Sequence, residues 1–218
     1  MTAANYFTPS VKVATDKVHY SETELTTKYT YVNSIVTENA ATNTVEVNPI
    51  KQEYDFKVDL KLPRVGVMLV GIGGNNGTTF LASILANRQK MKFHNKDGLK
   101  EANYYGSVTQ CSTLKLGVRP DGNDFYVPFN SLLPFVSPND FEVTGWDISA
   151  TNLGDAMERA QVLEYDLQRQ LKPEMSEYKP LPSIYYPDFI AANQDGRADN
   201  CINRPNNAGP ASTLSLIH

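Results

Sequence analysis

Residues 65–90 constrain this chain more than any other stretch. Val-Gly-Val-Met-Leu-Val at 65–70 is a short continuous apolar run, as expected of a parallel strand covered on both faces. It leads directly into Gly71-Ile72-Gly73-Gly74-Asn75-Asn76-Gly77 and then TTFLASILANRQK at 78–90. In that last segment Phe80, Leu81, Ile84 and Leu85 fall on a helical stripe, Thr78 or Thr79 stands near the start, and Arg88 and Lys90 lie in the last turn, where cations suit the helix dipole. Strand, glycine turn and helix abut with no spacer. A chain that turns so sharply while a diphosphate lies against it needs positions without Cβ, both for the turn and for close approach. The exposed N–H groups of the helix start then bind the phosphates.

This predicts a dinucleotide-binding unit, with a glycine turn used only for tight packing as the alternative. The pattern departs from G-x-G-x-x-G because Asn76 stands where the third glycine belongs. Asn75 and Asn76 either accept left-handed dihedrals and donate amide hydrogen bonds to phosphate, or one of them caps the helix. A P-loop is excluded, since it ends in Gly-Lys-Ser/Thr and this turn has no lysine.

The adenine-side ribose calls for an acid closing the second strand, about 20 residues after the glycines. Asp97 falls at that distance but sits in the turn-like HNKDG. Asp147 ends the stronger strand signal FEVTGWD, and its displacement is explained if 93–140 is an insertion between the first helix and the second strand. Asp147 is read as ribose ligand or as a helix-proximal cap. An acid there repels a 2′-phosphate, which favours NAD over NADP.

Elsewhere, residues 1–62 read as a β-rich arm. Tyr29, Tyr31 and the series Tyr54, Phe56, Val58, Leu60 alternate with polar residues, the period of a strand with one buried face. Segments 29–37 and 44–48 are expected to pair as a hairpin across ENAATN, and the arm, poor in aliphatic residues, is expected to pack on something else. Residues 91–140 read as loop-rich, with alternation at Leu114, Leu116 and Val118 and a turn over Arg119–Asn123. Residues 151–172 read as one helix capped by Thr151, with Leu153, Met157, Ala160, Leu163, Leu167 and Leu171 on one stripe, stopped by Pro173. Ile184-Tyr185-Tyr186 is a brief strand signal. Gln194, Asp195, Arg197 and Asp199 are equally a solvated loop or cofactor contacts, and Ser183 is a simple cap or a donor to cofactor. The segment 204–218 has turn and linker composition.

The formal charge of -4 argues against a surface that grips nucleic acid through its phosphates. Cys111 and Cys201 have no histidine at ligand spacing, so they are expected to be plain thiols rather than a disulfide framework or metal site. His19, His94 and His218 are mutually remote in sequence and receive no catalytic role. The start, MTAANYFTPSVKVATDK, has no basic beginning or apolar run, and no stretch approaches the length needed to span a bilayer, so a cytoplasmic protein without membrane attachment is expected.

VMLVGIGGNNGTT, EANYYGSVTQCSTLKLG, FNSLLPFVSPNDFEVTGWDI and LPSIYYPDFIAANQDGRADN resemble, in order, the N-terminal part of the myo-inositol-phosphate synthase family, most closely its fungal form, over about residues 10–203. The resemblance implies an α/β fold: a partial Rossmann-type parallel sheet that binds NAD, preceded by the β-rich arm. It also implies an isomerase of inositol and phospholipid biosynthesis that converts D-glucose 6-phosphate to 1D-myo-inositol 3-phosphate. In such enzymes NAD oxidises C5, enolisation and intramolecular aldol closure form the ring, and NADH reduces the product. Carried over, the diphosphate contacts fall on Gly73, Gly74, Asn75 and Asn76, the ribose contact on Asp147, and further cofactor contacts on Ser183, Ile184, Gln194 and Arg197. Family members are homotetramers, and their catalytic and tetramer-forming domain, with the lysines that bind phosphate and move protons, follows the region matched here. The resemblance ends near Arg204, so the expected domains are the arm at 1–62, a partial NAD-binding domain at 63–203 and a divergent tail. A chain of this kind is expected to be an inactive N-terminal fragment. The alternatives are a regulatory or interaction fragment that associates with an intact subunit, and a small NAD-dependent dehydrogenase.

Overall fold

Strand structure in the arm extends well beyond its strongest alternation. In the structure, a computed structural model that describes residues 5–188 and 192–203, the first elements are β1 (Val18–Tyr20), β2 (Glu24–Asn39), β3 (Thr44–Asp59), β4 (Gly66–Val70) and α1 (Asn75–Arg88). Then come β5 (Lys92–Asn95), β6 (Gly98–Glu101), α2 (Val108–Cys111), β7 (Thr113–Val118) and β8 (Asp124–Pro128). The last are β9 (Glu142–Asp147), α3 (Leu153–Ala160), α4 (Tyr165–Met175) and β10 (Leu181–Pro182). They form two units: residues up to 63 with 105–136, and 64–104 with the described residues from 137 onward.

In the first unit β1, β2 and β3 form an antiparallel sheet, and β2 pairs with β3 from Glu24 opposite Asp59 to Asn39 opposite Thr44. The expected hairpin is thus present, with strands longer than 29–37 and 44–48. Its turn closes with Asn43 at φ 52 and Asn39 Oδ1 accepting the Ala41 N–H at 3.0 Å, since asparagine tolerates the left-handed region and bonds its own backbone. The buried face expected of the alternation is confined to its end: Val58 is half-buried and Leu60 buried, whereas Tyr29, Tyr31, Tyr54 and Phe56 are all exposed. A two-strand ribbon has no second layer of its own to cover an apolar face. In the same unit β7 and β8 pair antiparallel, with an irregularity between Lys115 and Gly117. Their turn has Gly122 at φ 86 and Asp121 Oδ1 accepting the Asn123 N–H. The alternation at Leu114, Leu116 and Val118 and the turn over Arg119–Asn123 are thus β7 and its hairpin turn, and the stretch 91–140 also holds a hairpin with no such signal, β5 with β6. That pair is pinned by its turn, with Gly98 at φ 110 and Asn95 Oδ1 accepting the Asp97 N–H, and its short charged strands give no alternation to read.

The second unit is α/β. Its parallel sheet has the order β10-β9-β4, and β9 lies beside β4 in parallel, Gly66 opposite Glu142 through Val70 opposite Trp146. Helices α1, α3 and α4 supply the core, in which Leu81, Leu85, Leu153, Met157, Leu171 and Met175 are buried. Removal of such side chains from water is the main stabilising term, about 1.5–3 kcal/mol each. The covering of β4 is incomplete, contrary to expectation: it is an edge strand among the described residues, and Val70 is 84% exposed. The apolar run reflects a strand built for two neighbours and two covered faces, of which only part is supplied within this unit.

The helix expected over 151–172 is two helices. Gln161 at φ 51 ends α3 and α4 restarts at Tyr165. The cap is Asn152 rather than Thr151, its side chain accepting the Asp155 N–H at 2.9 Å. Pro173 does not stop α4, which continues to the fully buried Met175; packing of that side chain offsets the one backbone bond proline removes. Helix α1 begins at Asn75, three residues before the expected start. Strand β10 is Leu181–Pro182, extended by a parallel bridge from Ser183 to Cys201, and precedes the Ile184-Tyr185-Tyr186 signal. Tyr185 is buried in a small cluster with Ala198 and Cys201, which accounts for its apolar character without a strand. Phe189, Ile190 and Ala191 and the segment 204–218 lie outside the described residues.

Candidate functional site

The glycine turn meets Asp147 at the ends of β4 and β9. Gly71 N–H and Ile72 N–H both donate to Trp146 O, at 2.7 and 3.1 Å, and Gly73 N–H donates to Asp147 Oδ2 at 2.8 Å. The turn is thereby tied to the second strand across 74 residues of sequence. A Cβ at Gly73 would stand 2.9 Å from Asp147 Oδ2, so this approach requires glycine. The requirement at Gly77 is stronger: a Cβ there would lie 2.3 Å from Ile72 O and 2.6 Å from Ile72 Cα. Gly77 thus lets the first turn of α1 close against the backbone of the glycine turn, a tight approach like the one the third glycine of the fingerprint serves. Asn76 stands where G-x-G-x-x-G has its third glycine, and the effective spacing is Gly71, Gly73, Gly77, one residue longer.

Asn75 and Asn76 are helical and exposed, not left-handed, and neither caps α1. The N-cap is Gly74 without a side-chain bond, and the first intrahelical bond runs from Thr78 N–H to Gly74 O at 2.9 Å. Among the described residues, no hydrogen bond uses the N–H of Asn75, Asn76 or Gly77 as donor. Three N–H groups at the positive end of a helix are a ready anion site. They open on a cleft of about 620 Å³ lined by Leu69, Val70, Gly71, Gly74, Asn75, Asn76, Gly77 and Phe80, within the size range of cofactor pockets.

Asp147 is 3% exposed and satisfied on both oxygens. Oδ2 accepts from Gly73, and Oδ1 accepts from the Ser149 N–H at 3.0 Å and from Arg197 Nη2 at 3.3 Å. A carboxylate offers about four acceptor sites, so one remains for a hydroxyl. Arg197 Nε is buried and has no hydrogen-bond partner among the described residues. An orphaned buried donor costs about 1–3 kcal/mol and marks a place where an acceptor belongs. The chain around 197–200 closes over the acid: Asp199 Oδ1 accepts the Ala150 N–H at 2.8 Å, and Asn200 Nδ2 donates to Asp147 O at 3.1 Å.

The structure therefore brings together Gly73, Gly74, Asn75, Asn76, Asp147 and Arg197. Ser183 is drawn in through its backbone, its N–H donating to Asn200 O at 3.0 Å, and Ile184 follows, half-buried. Gln194 donates to its neighbour Asn193 at 2.9 Å, and Asp195 is exposed on the same 3-10 turn. Three further residues belong to this arrangement. Gly77 stands one residue beyond the expected third glycine. Asn200 and Arg159, whose Nη2 donates to Gly73 O at 2.9 Å, carry no local signal, because their partners are remote in sequence. Among the described residues no helix is long and apolar enough to cross a membrane, and no cluster of His, Cys, Asp or Glu has the makings of a metal site.

An NAD-binding family model described as myo-inositol-1-phosphate synthase matches residues 65–215. The inositol-3-phosphate synthase of Saccharomyces cerevisiae is 62% identical over 195 residues, covering 89% of this chain and 36% of that protein. Isozyme 1 from Arabidopsis thaliana is 47% identical over 199 residues, covering 90% of this chain and 39% of its own length. The crystal structure of the Caenorhabditis elegans enzyme superposes with a TM-score of 0.79 at 44% identity, over 88% of this chain and 37% of that one. The chain thus spans less than two fifths of the length of these relatives.

Proposed function

The chain belongs to the inositol-3-phosphate (myo-inositol-1-phosphate) synthase family, and from that membership we propose that it is the NAD-gripping N-terminal part of such an isomerase. The observation that carries this reading is the Gly73 N–H bond to Asp147, which sets a diphosphate cradle and a ribose acceptor side by side. The open N–H groups of Asn75, Asn76 and Gly77 hold the diphosphate, with Gly73 and Gly74 allowing its approach. The remaining acceptor site of Asp147 takes a ribose hydroxyl, and Arg197 both neutralises Asp147 and offers Nε to the ligand. Ser183, Ile184 and Gln194 complete the wall beside it. A bound NAD supplies the hydride acceptor, and as NADH the donor, for an isomerisation of D-glucose 6-phosphate without net redox change. The groups that bind the sugar phosphate and move its protons belong, on this reading, to the part of the relatives that this chain does not span, as do the contacts of a homotetramer. A cytoplasmic location accords with the substrate.

The test is calorimetric titration of the 218-residue chain with NAD and NADP, paired with an assay for inositol phosphate formation from glucose 6-phosphate. NAD binding, weaker NADP binding and no turnover are expected. Absence of NAD binding sinks the cofactor reading, and turnover sinks the division of labour. A second reading is favoured by the exposed Tyr29, Val32, Ile35, Val36, Val47 and Phe56 of the β2–β3 ribbon: an interaction piece that associates with an intact subunit. Co-purification with a full-length synthase tests it, and failure to co-purify removes it.

A further inference from the structure

Arg159 stands on α3, yet its Nη2 donates to the carbonyl of Gly73 at 2.9 Å, 86 residues away. Among the described residues it enters no ion pair and no other hydrogen bond, and the rest of the side chain is exposed. We propose that Arg159 is a positioning residue for nucleoside diphosphate binding, which holds the Gly73 carbonyl and supplies the unpaired positive charge beside the turn. The inference rests on the reading of the turn as a dinucleotide site.

Two physical arguments carry it. The first concerns the backbone. Gly77 is the third residue of α1, whose N–H has no intrahelical partner by position, since the N-cap is Gly74. The first intrahelical bond is Thr78 N–H to Gly74 O, and Arg159 bonds the Gly73 carbonyl at 2.9 Å, fixing the turn that leads into the three open N–H groups. Loss of the guanidinium removes this tie from the Gly73 carbonyl, so the turn that aims the donors at a phosphate is held less firmly. The second argument is charge. Residues 71–77 contain no cationic side chain, and Arg197 is engaged by Asp147 at 3.3 Å. A diphosphate therefore meets only N–H dipoles and the charge of Arg159, in a place where the buried Asp147 would otherwise repel it.

The experiment compares wild type, R159M and R159Q as full 218-residue chains, with ADP, NAD and adenosine as probes, by calorimetry and ligand-observed NMR at low and high salt. R159M removes both donor and charge, so ADP and NAD affinity falls about tenfold, the scale of one charge-assisted bond, while adenosine affinity is unchanged. R159Q keeps an N–H donor and loses the charge, so its ADP affinity falls about threefold at low salt and converges on wild type at high salt, where screening removes the difference. Wild-type ADP affinity in both variants, or an equal loss for ADP and adenosine, overturns the role. If R159M does not fold, R159Q decides: the salt-dependent loss sustains the proposal, and an unchanged ADP affinity overturns it. Wild type that binds neither ADP nor NAD overturns the dinucleotide reading itself, and the role of Arg159 with it.

Discussion

The N–H of Gly73 donates to Oδ2 of Asp147 at 2.8 Å, and a Cβ on Gly73 would stand 2.9 Å from that same oxygen. One contact thus joins the glycine turn to the second strand of the sheet and forbids a side chain at the junction. Gly73→Ala is expected to push a buried, hydrogen-bonded carboxylate off its donor, at about 1–3 kcal/mol. Urea unfolding of the variant checks this. A stability equal to wild type would mean that Asp147 moves without penalty.

Gly77→Ala should cost more, because the atoms in the way are backbone: Ile72 O at 2.3 Å, Cα at 2.6 Å and C at 2.7 Å. The start of α1 must shift from the glycine turn, an overpacking of about 3 kcal/mol or more. Gly74→Ala is the contrast, since its added Cβ meets only Gly71 O at 3.1 Å and its φ of -77 suits alanine. That change should stay within about 1 kcal/mol. Comparison of the two by thermal melting tests the assignment of the third-glycine role, and equal losses would refute it.

Asn152 caps α3 by accepting the Asp155 N–H at 2.9 Å, and it also donates to Asp155 Oδ2 at 2.8 Å. Asn152→Ala is expected to destabilise the protein by about 1 kcal/mol, and Thr151→Ala by clearly less. Chemical denaturation of both variants separates the observed cap from the one expected from sequence.

Asp166 ties α4 to β5. Its carboxylate accepts the His94 N–H at 2.9 Å and an Arg169 guanidinium N–H at 3.0 Å. The backbone bond from His94, then that from Arg169, holds the Asp166 carboxyl below its ordinary value. A lowered folded-state value contributes stability above the unfolded pKa of about 3.9, and that contribution is lost as pH falls through the folded value. Wild type should therefore melt above D166N at pH 7, with the difference closing as the medium is acidified below about pH 4. A difference that persists undiminished in acid would show that Asp166 acts through packing alone.

The local elements of the site were legible because each rests on short-range physics. An apolar run followed by glycines and a helical stripe can hardly be read otherwise, and Trp146-Asp147 closing a strand marked the acid despite its distance from the turn. The helix pair over 151–175 was half legible. Its buried stripe of Leu153, Met157, Leu167 and Leu171 was plain, but the break at Gln161 was not, since a left-handed non-glycine residue has no sequence signature.

What the amino-acid sequence by itself determined is the β4-turn-α1 unit, the acid that faces it and the family they belong to, because neighbouring residues alone dictate backbone period and the need for missing Cβ atoms. Only the tertiary structure decided that Gly77 rather than position 76 seats the helix, that Arg197 and Asn200 close over Asp147, and that Arg159 holds Gly73. The contacts of Arg197, Asn200 and Arg159 join residues separated by 50 to 86 positions and leave no trace in local pattern, whereas the demand at Gly77 depends on how closely the turn folds back on the start of α1.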